Sequence, residues 1–296
     1  MEEQAPRETL IAAFWLLLSG VFFTGTGVAV KMLGQSLHAF EISFFRVVVS
    51  MLVITPFLIR AGRSAGGVRT QVPWLQLCRG IAGSTAMLAG FYAIVHLPLA
   101  DAQALSFSRT LFVVPLAALI LSETVGVRRW MAVLIGFMGV IIMLRPGQGI
   151  DLSVGMAAAL AHAFLVAIAT ILVSLVSRYD RPVTLMFYTN IVGLVVTGIP
   201  TLYVWQTPTD MQWVWLLVMG MFATAAHNCF IRAYALGEAS AIAPVDYMRL
   251  FWAAIAGYLV FDTLPDLYGI MGAAVISLTT LYIVRREASL GKKPQA

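Results

Sequence analysis

The sequence predicts an all-α integral membrane protein with ten transmembrane helices, arranged as two inverted five-helix repeats. Composition is the first observation: 60% of the 296 residues are hydrophobic and 11% are charged, whereas soluble domains carry about 25% charged residues. The second is a succession of apolar segments, most of them long enough to cross a bilayer. The third is a pair of similar stretches, one in each half, with an arginine inside an apolar run.

Each apolar segment is predicted to form one helix. The segments of the first half lie near Leu10–Met32, Ala39–Ile59, Trp74–Val95, Asp101–Ser122 and Arg129–Leu144. Those of the second half lie near Val154–Val176, Pro182–Tyr203, Met211–Tyr234, Ala239–Phe261 and Asp266–Val284. A short polar turn, Pro146–Ser153, joins the halves, so we assign one repeat to residues 1–148 and the other to residues 149–296.

The loop charges predict how the chain is oriented in the membrane. Twelve loop or terminal arginines and lysines fall on the side that carries both termini, and two fall on the other side. Because basic loops stay in the cytoplasm, both termini are expected there. The protein itself is expected in the inner membrane of the cell. The residues before the first helix include acids where a signal peptide has basic residues, so this helix is expected to remain as an uncleaved anchor. Five spans per half make the second half enter the membrane the other way up, as in many secondary transporters.

The two similar stretches run from Asp101 to Glu123 and from Ala239 to Asp262. Each has an arginine near its middle, Arg109 or Arg249, and each ends in an acid. A charge at membrane depth costs about 3 kcal/mol or more unless it is paired or faces water. Such charges therefore indicate a path for a solute or an ion.

Three stretches resemble the EamA family of the drug/metabolite transporter superfamily: Leu37–Arg46, Leu121–Pro146 and Ala243–Asp266. The middle stretch is the most specific of the three. In it an acid is followed by a predicted helix that contains spaced glycines and ends in a basic residue and a proline. Within the family, the chain is most similar to the branch that contains S-adenosylmethionine uptake and riboflavin transporters. The resemblance implies a small-molecule transporter whose fourth helix lines a central cavity.

Candidate residues for binding the solute come from mid-helix charges and from polar or aromatic neighbours. They are Arg109, Asp246, Arg249, Tyr247, Trp252, Tyr92, Phe107, Ser106, His227 and Asn228. Asp246 and Arg249 share a helical face because they are three residues apart, so they could instead neutralise each other. Arg109 could cap carbonyl groups freed by Pro115, and the aromatic residues could simply pack. Arg46 and His162 are expected to be structural.

The chemistry of an enzyme has little support in the sequence. His96 and Asp101 match the spacing of an acyltransferase motif, but no second motif accompanies them. Metal, cofactor and nucleotide motifs are lacking, and the basic residues are too dispersed for a nucleic-acid surface. The leading hypothesis is a secondary transporter that moves S-adenosylmethionine or an amino-acid-like zwitterion by alternating access, with the bilayer as its surroundings. Riboflavin or another ring-bearing metabolite is the alternative, and an intramembrane enzyme that uses His96, His162 or His227 is the remote one.

Overall fold

The structure, a computed structural model, describes residues 4–62, 69–120, 125–144, 153–236, 242 and 245–291. Regular secondary structure in these ranges is helical throughout. The helices are α1 (Gln4–Leu33), α2 (Ala39–Gly62), α3 (Pro73–His96), α4 (Leu99–Phe107), α5 (Arg109–Ile120), α6 (Val127–Leu144), α7 (Val154–Val176), α8 (Pro182–Val204), α9 (Asp210–Leu236), α10 (Met248–Phe261) and α11 (Leu267–Gly291).

The predicted membrane fold is confirmed. Within the described ranges, eight helical spans are long and apolar enough to cross a bilayer, and Met248–Phe261 is a shorter apolar helix. The turn predicted to join the halves lies outside the described residues except for Ser153, whose hydroxyl accepts a hydrogen bond from the Met156 N–H at 3.2 Å. This bond caps the start of α7.

Both central stretches are interrupted, where the sequence predicts continuous helices. Ser108 forms a turn between α4 and α5, and its carbonyl accepts from the Leu111 N–H at 2.9 Å. Tyr247 forms a turn directly before α10, and its carbonyl accepts from the Leu250 N–H at 3.0 Å. The Ser108 carbonyl also accepts from the Phe112 N–H at 3.3 Å, so the helical bonding there is distorted and not lost. Both turns lie just before the two mid-helix arginines, a position at which hydropathy gives no signal.

The packing of the helices reveals an internal twofold relation. Helix α1 packs along α9, and α3 packs along α7. The Ser19 hydroxyl donates to the Ala226 carbonyl at 2.9 Å, and the His162 Nδ1 donates to the Ala86 carbonyl at 2.7 Å. Ser19 lies as far before the start of α2 as His162 lies before α8, and Ala86 lies as far before Arg109 as Ala226 before Arg249. The two hydrogen bonds are therefore equivalents across the repeats.

A second pair of close contacts obeys the same relation. Gly80 of α3 lies against Val192 of α8, and Gly220 of α9 lies against Val49 of α2. Helices α1, α2 and α9 thus correspond to α7, α8 and α3, and each of these three-helix groups takes helices from both halves of the chain. Helices α2 and α8 also pack directly against each other and join the two groups. Exchange of the halves converts one group into the other.

The two halves run in opposite directions along the bundle. Gly34, just after the end of α1, lies against Val95, and Gly155, near the start of α7, lies against His96. Since Val95 and His96 are adjacent, α1 ends at the level where α7 begins. This is the inverted arrangement that the odd number of spans per half predicts.

One end of the bundle, which we call the basic end, carries the exposed Arg69, Arg178 and Arg181. Here the buried Asp180 carboxylate joins the two repeats by accepting hydrogen bonds from the Thr70 hydroxyl, from the Gln76 side-chain amide at 2.8 Å and from the Gln71 N–H at 3.1 Å. Burial raises the pKa of the Asp180 carboxyl, but these hydrogen bonds outweigh it and hold the pKa below its usual value. Asp180 is therefore ionised at neutral pH.

The opposite end has an apolar contact at the equivalent place. Leu37 lies two residues before α2, as Asp180 lies two residues before α8, so the two positions are equivalent. By the same relation, Leu216 is the equivalent of Gln76. Leu37 and Leu216 belong to one buried apolar cluster. A charged clasp at one end thus corresponds to buried leucines of one apolar cluster at the other.

Replacement of Gly90 by alanine should destabilise the protein, because the new Cβ would lie 2.6 Å from His162 Nδ1. The His162 ring is hydrogen-bonded to the Ala86 carbonyl, so it could move away only by losing that hydrogen bond. The expected loss is on the order of 1–3 kcal/mol, measured as a lower melting temperature in detergent. Gly83→Ala on the same helix is the control, since nothing lies within 4 Å of its Cβ. Alanine should hold or raise stability there by about 0.5–1 kcal/mol, and equal effects of the two changes would contradict the packing described.

Candidate functional site

A cavity of about 350 Å³ lies in the middle of the bundle. It is bounded by α1, α2, α3, α4, α7, α8 and α10, and by Arg109 at the start of α5. Its lining contains no carboxylate among the described residues. The charged and polar side chains that line it are Arg46, Ser84, Gln103, Ser106, Arg109, His162, Thr189, Asn190 and Arg249.

The cavity lies on the twofold relation between the repeats. Its lining includes both members of four equivalent pairs: Phe23 with Val166, Arg46 with Thr189, Val47 with Asn190, and Arg109 with Arg249. Inverted-repeat transporters commonly place their site at such a position, near the membrane midplane and at broken helices. The interruptions at Ser108 and Tyr247 bring both arginines to this place from opposite halves.

Asp246 forms the centre of a charged cluster beside the cavity. Its carboxylate lies 3.9 Å from an Arg109 nitrogen and 3.8 Å from an Arg249 nitrogen. Asp246 and Arg249 are only 7% and 8% exposed. Both distances exceed the range of a hydrogen bond, and Asp246 Oδ1 has no hydrogen-bond partner in the described structure. One carboxylate is therefore shared loosely between two guanidinium groups, as an ion-pair triad.

Arg249 also links the two repeats through a neutral partner. Its Nη2 donates to the Gln103 side-chain oxygen at 3.0 Å, and this bond is buried. Gly20 on α1 leaves room for the arginine, because a Cβ there would lie 3.1 Å from Arg249 Cγ. These contacts fix the guanidinium group at the wall of the cavity.

Aromatic rings lie beneath the charged cluster. Phe107 and Tyr247, the residues at the two helix interruptions, stack with ring centres 4.8 Å apart. The Phe107 ring lies 5.9 Å from the Arg109 guanidinium and 5.4 Å from that of Arg249. Phe23 lies 4.6 Å from Arg249 on another side. Cation–π contacts of this kind offset part of the cost of removing two arginines from water.

The structure brings together six of the ten candidate residues. Arg109, Ser106 and Arg249 line the cavity. Asp246, Phe107 and Tyr247 contact these residues or each other from behind.

The other four candidates lie apart from the lining. Trp252 packs beside Arg249 against Gly20, and Tyr92 stacks on His96 with ring centres 4.0 Å apart. His227 and Asn228 are exposed on α9. Glu123, which ends the first of the two central stretches, lies outside the described residues.

Six polar or charged lining residues were not among the candidates: Arg46, Ser84, Gln103, His162, Thr189 and Asn190. Gln103, Ser106 and Arg109 are spaced by three residues, so helical periodicity could have placed Gln103 on the cavity face. His162 does have the expected structural bond to Ala86, but it lines the cavity as well. Nothing in the sequence indicates that Arg46 faces the cavity.

Known proteins resemble this chain over nearly its whole length. The profile of the EamA-like transporter family matches twice, at residues 10–145 and 153–285, which supports the two-repeat organisation. An S-adenosylmethionine uptake transporter of Rickettsia prowazekii is 30% identical over 92% of each chain. A riboflavin transporter of Rhizobium johnstonii is 29% identical over 98% of this chain and 96% of its own. A pseudopaline exporter of Pseudomonas aeruginosa is 28% identical over 92% and 95%, respectively.

A crystal structure shares the fold. It superimposes with a TM-score of 0.62 at 15% identity, and the match covers 96% of this chain and 99% of the other. The fold, the central cavity and the matches of both halves to one transporter profile agree with one another. The chain belongs to the EamA-like transporter family.

Proposed function

We propose that this chain is a secondary transporter that moves a small, carboxylate-bearing metabolite by alternating access. The observation that carries the proposal is the charge of the cavity: three arginines line it, and no carboxylate does so among the described residues. In a surrounding of low dielectric constant, uncompensated positive charge attracts an anionic group strongly. A solute with a carboxylate fits that demand.

Asp246 accounts for a second charge on the solute. It lies just behind the cavity between Arg109 and Arg249, at distances that are too long for firm hydrogen bonds. A cationic group of the solute can therefore compete for the same carboxylate. An amino-acid-like zwitterion such as S-adenosylmethionine satisfies both requirements, and relatives of the chain are named as S-adenosylmethionine uptake transporters.

Riboflavin is the second candidate, because a riboflavin transporter is similar over nearly the whole chain. Phe23 and Phe91 line the cavity and offer faces for a flat ring. Tyr247 and Trp252, the aromatic candidates of the second half, do not line the cavity. A neutral ring system would leave the arginines without an anionic partner, which is why we rank it second.

The test is counterflow in proteoliposomes loaded with unlabelled solute. S-adenosylmethionine should exchange with the internal pool, and decarboxylated S-adenosylmethionine, which lacks only the carboxylate, should exchange at least about tenfold less well, as expected for one lost charge-assisted contact. Riboflavin should compete weakly. Exchange of riboflavin alone would favour the second candidate, and equal exchange of the two S-adenosyl compounds would refute the carboxylate requirement.

We expect the charged cluster to be essential for uptake. Asp246→Asn keeps the shape of the side chain and removes the charge that Arg109 and Arg249 share, so the variant should insert normally and lose at least about tenfold in uptake rate. Arg109→Lys should weaken binding, because a point charge does not replace a planar fork. Asp210→Asn, an exposed acid at the start of α9, is the control and should transport normally. Well-expressed Asp246→Asn and Arg109→Lys proteins with wild-type uptake would show that the cluster is only structural.

The orientation is part of the proposal: ten spans, both termini in the cytoplasm and the inner membrane as the location. The basic end then faces the cytoplasm, in agreement with the bias of loop arginines and lysines. A reporter that is active only in the cytosol should work when fused after Ala296 and be silent when inserted at residues 208–210. The reverse pattern would overturn the orientation.

A further inference from the structure

Arg46 differs from the other two cavity arginines in its partners. Its Nη1 lies 2.9 Å from the Met87 sulfur, and its guanidinium lies 6.0 Å from the centre of the Phe91 ring. A thioether is a weak acceptor, and a ring carries no net charge. In the described part of the chain, no carboxylate lies within ion-pair distance of Arg46, whereas Arg109 and Arg249 share Asp246.

This arrangement is costly in an empty cavity. An arginine keeps its charge under all ordinary conditions, and a charge at membrane depth is expensive unless it meets water or an opposite charge. Arg46 lines the cavity, so an anion that enters can reach it. An incoming anionic group gains more from Arg46 than from the other two arginines, because it does not have to displace Asp246.

The positive charge of Arg46 has no counterpart at the equivalent position of the other repeat. The residue equivalent to Arg46 in the other half is Thr189, which also lines the cavity. The Thr189 hydroxyl donates to the Leu185 carbonyl at 2.7 Å and is neutral. A solute with separated charges would therefore bind in one orientation, although the cavity itself lies on a twofold relation.

We propose that Arg46 is the anchor for the anionic group of the transported solute, while Asp246 receives its cationic group. The proposal rests on the proposed function and adds to it a residue that determines specificity. It also predicts that the Arg109–Asp246–Arg249 cluster responds to the solute's cation more than to its anion. Arg46 discriminates between solutes with and without an anionic group.

The experiment measures equilibrium binding to purified protein with two matched pairs of probes. One pair is S-adenosylmethionine and its decarboxylated form, and the other is riboflavin 5′-phosphate and riboflavin. In at least one pair, the wild type should bind the member that carries the carboxylate or phosphate more tightly than the member that lacks it. Arg46→Gln should weaken binding of that member by roughly 10- to 100-fold, the range for one charge-assisted hydrogen bond. Binding of the other member, which lacks the carboxylate or phosphate, should stay nearly unchanged.

Two further variants serve as controls. Arg46→Lys keeps the charge and should retain part of the preference, which also carries the test if Arg46→Gln does not fold. Arg232→Gln removes another helix arginine, one that lies 4.9 Å from the Trp15 ring and outside the cavity lining, and should leave the preference intact.

The outcomes separate the two proposals. Equal weakening of both members of a pair by Arg46→Gln, or no change in either, would overturn the role of Arg46 and leave the proposed function standing. A wild-type protein that binds riboflavin and neither anionic probe would overturn both. Loss of preference in Arg232→Gln as great as in Arg46→Gln would also refute the anchor, because it would show a general effect of net charge.

Discussion

The cost of placing charge inside a membrane governs the centre of this protein. Two arginines from opposite halves meet one carboxylate, and each is further supported by aromatic rings or by the Gln103 amide. Loss of the Asp246 charge would leave two arginines without their shared carboxylate, whereas loss of either arginine would leave a one-to-one ion pair. The breaks at Ser108 and Tyr247 place these groups at the same level, so the interruption of two helices and the charged cluster depend on each other.

The close contacts between helices explain why the repeats are not separate structural units. Ser19 and Ala226 belong to opposite halves, as do His162 and Ala86, and both hydrogen bonds are formed across the boundary. The twofold relation therefore combines helices from both halves into each three-helix group. Neither group is complete until the second half is made, because α1–α2–α9 then lacks one helix and α3–α7–α8 lacks two.

Sequence reasoning predicted much of this arrangement and missed parts of it for identifiable reasons. Hydropathy and charge located the helices, and the spacing of Asp246 and Arg249 correctly placed both on one face. Hydropathy could not locate the turns at Ser108 and Tyr247, because a broken helix is as apolar as a continuous one. The position of Arg46 at the cavity could not be predicted, since its partners, Met87 and Phe91, lie on another helix and leave no pattern in the sequence near it. Tyr92 illustrates the opposite case: its type suits solute binding, but it stacks on His96.

The unlike ends of the bundle have an energetic consequence. In a perfectly twofold transporter, the conformation open to one side would be related by the axis to the conformation open to the other, and the two would have equal free energies. Asp180 and Gln76 at the basic end stand where Leu37 and Leu216 stand at the opposite end. An ionic hydrogen bond and an apolar contact respond differently to temperature and to salt. Under the proposed alternating access, the two ends therefore contribute unequally to the balance between the two sides of the membrane, and their contributions change differently with temperature and salt.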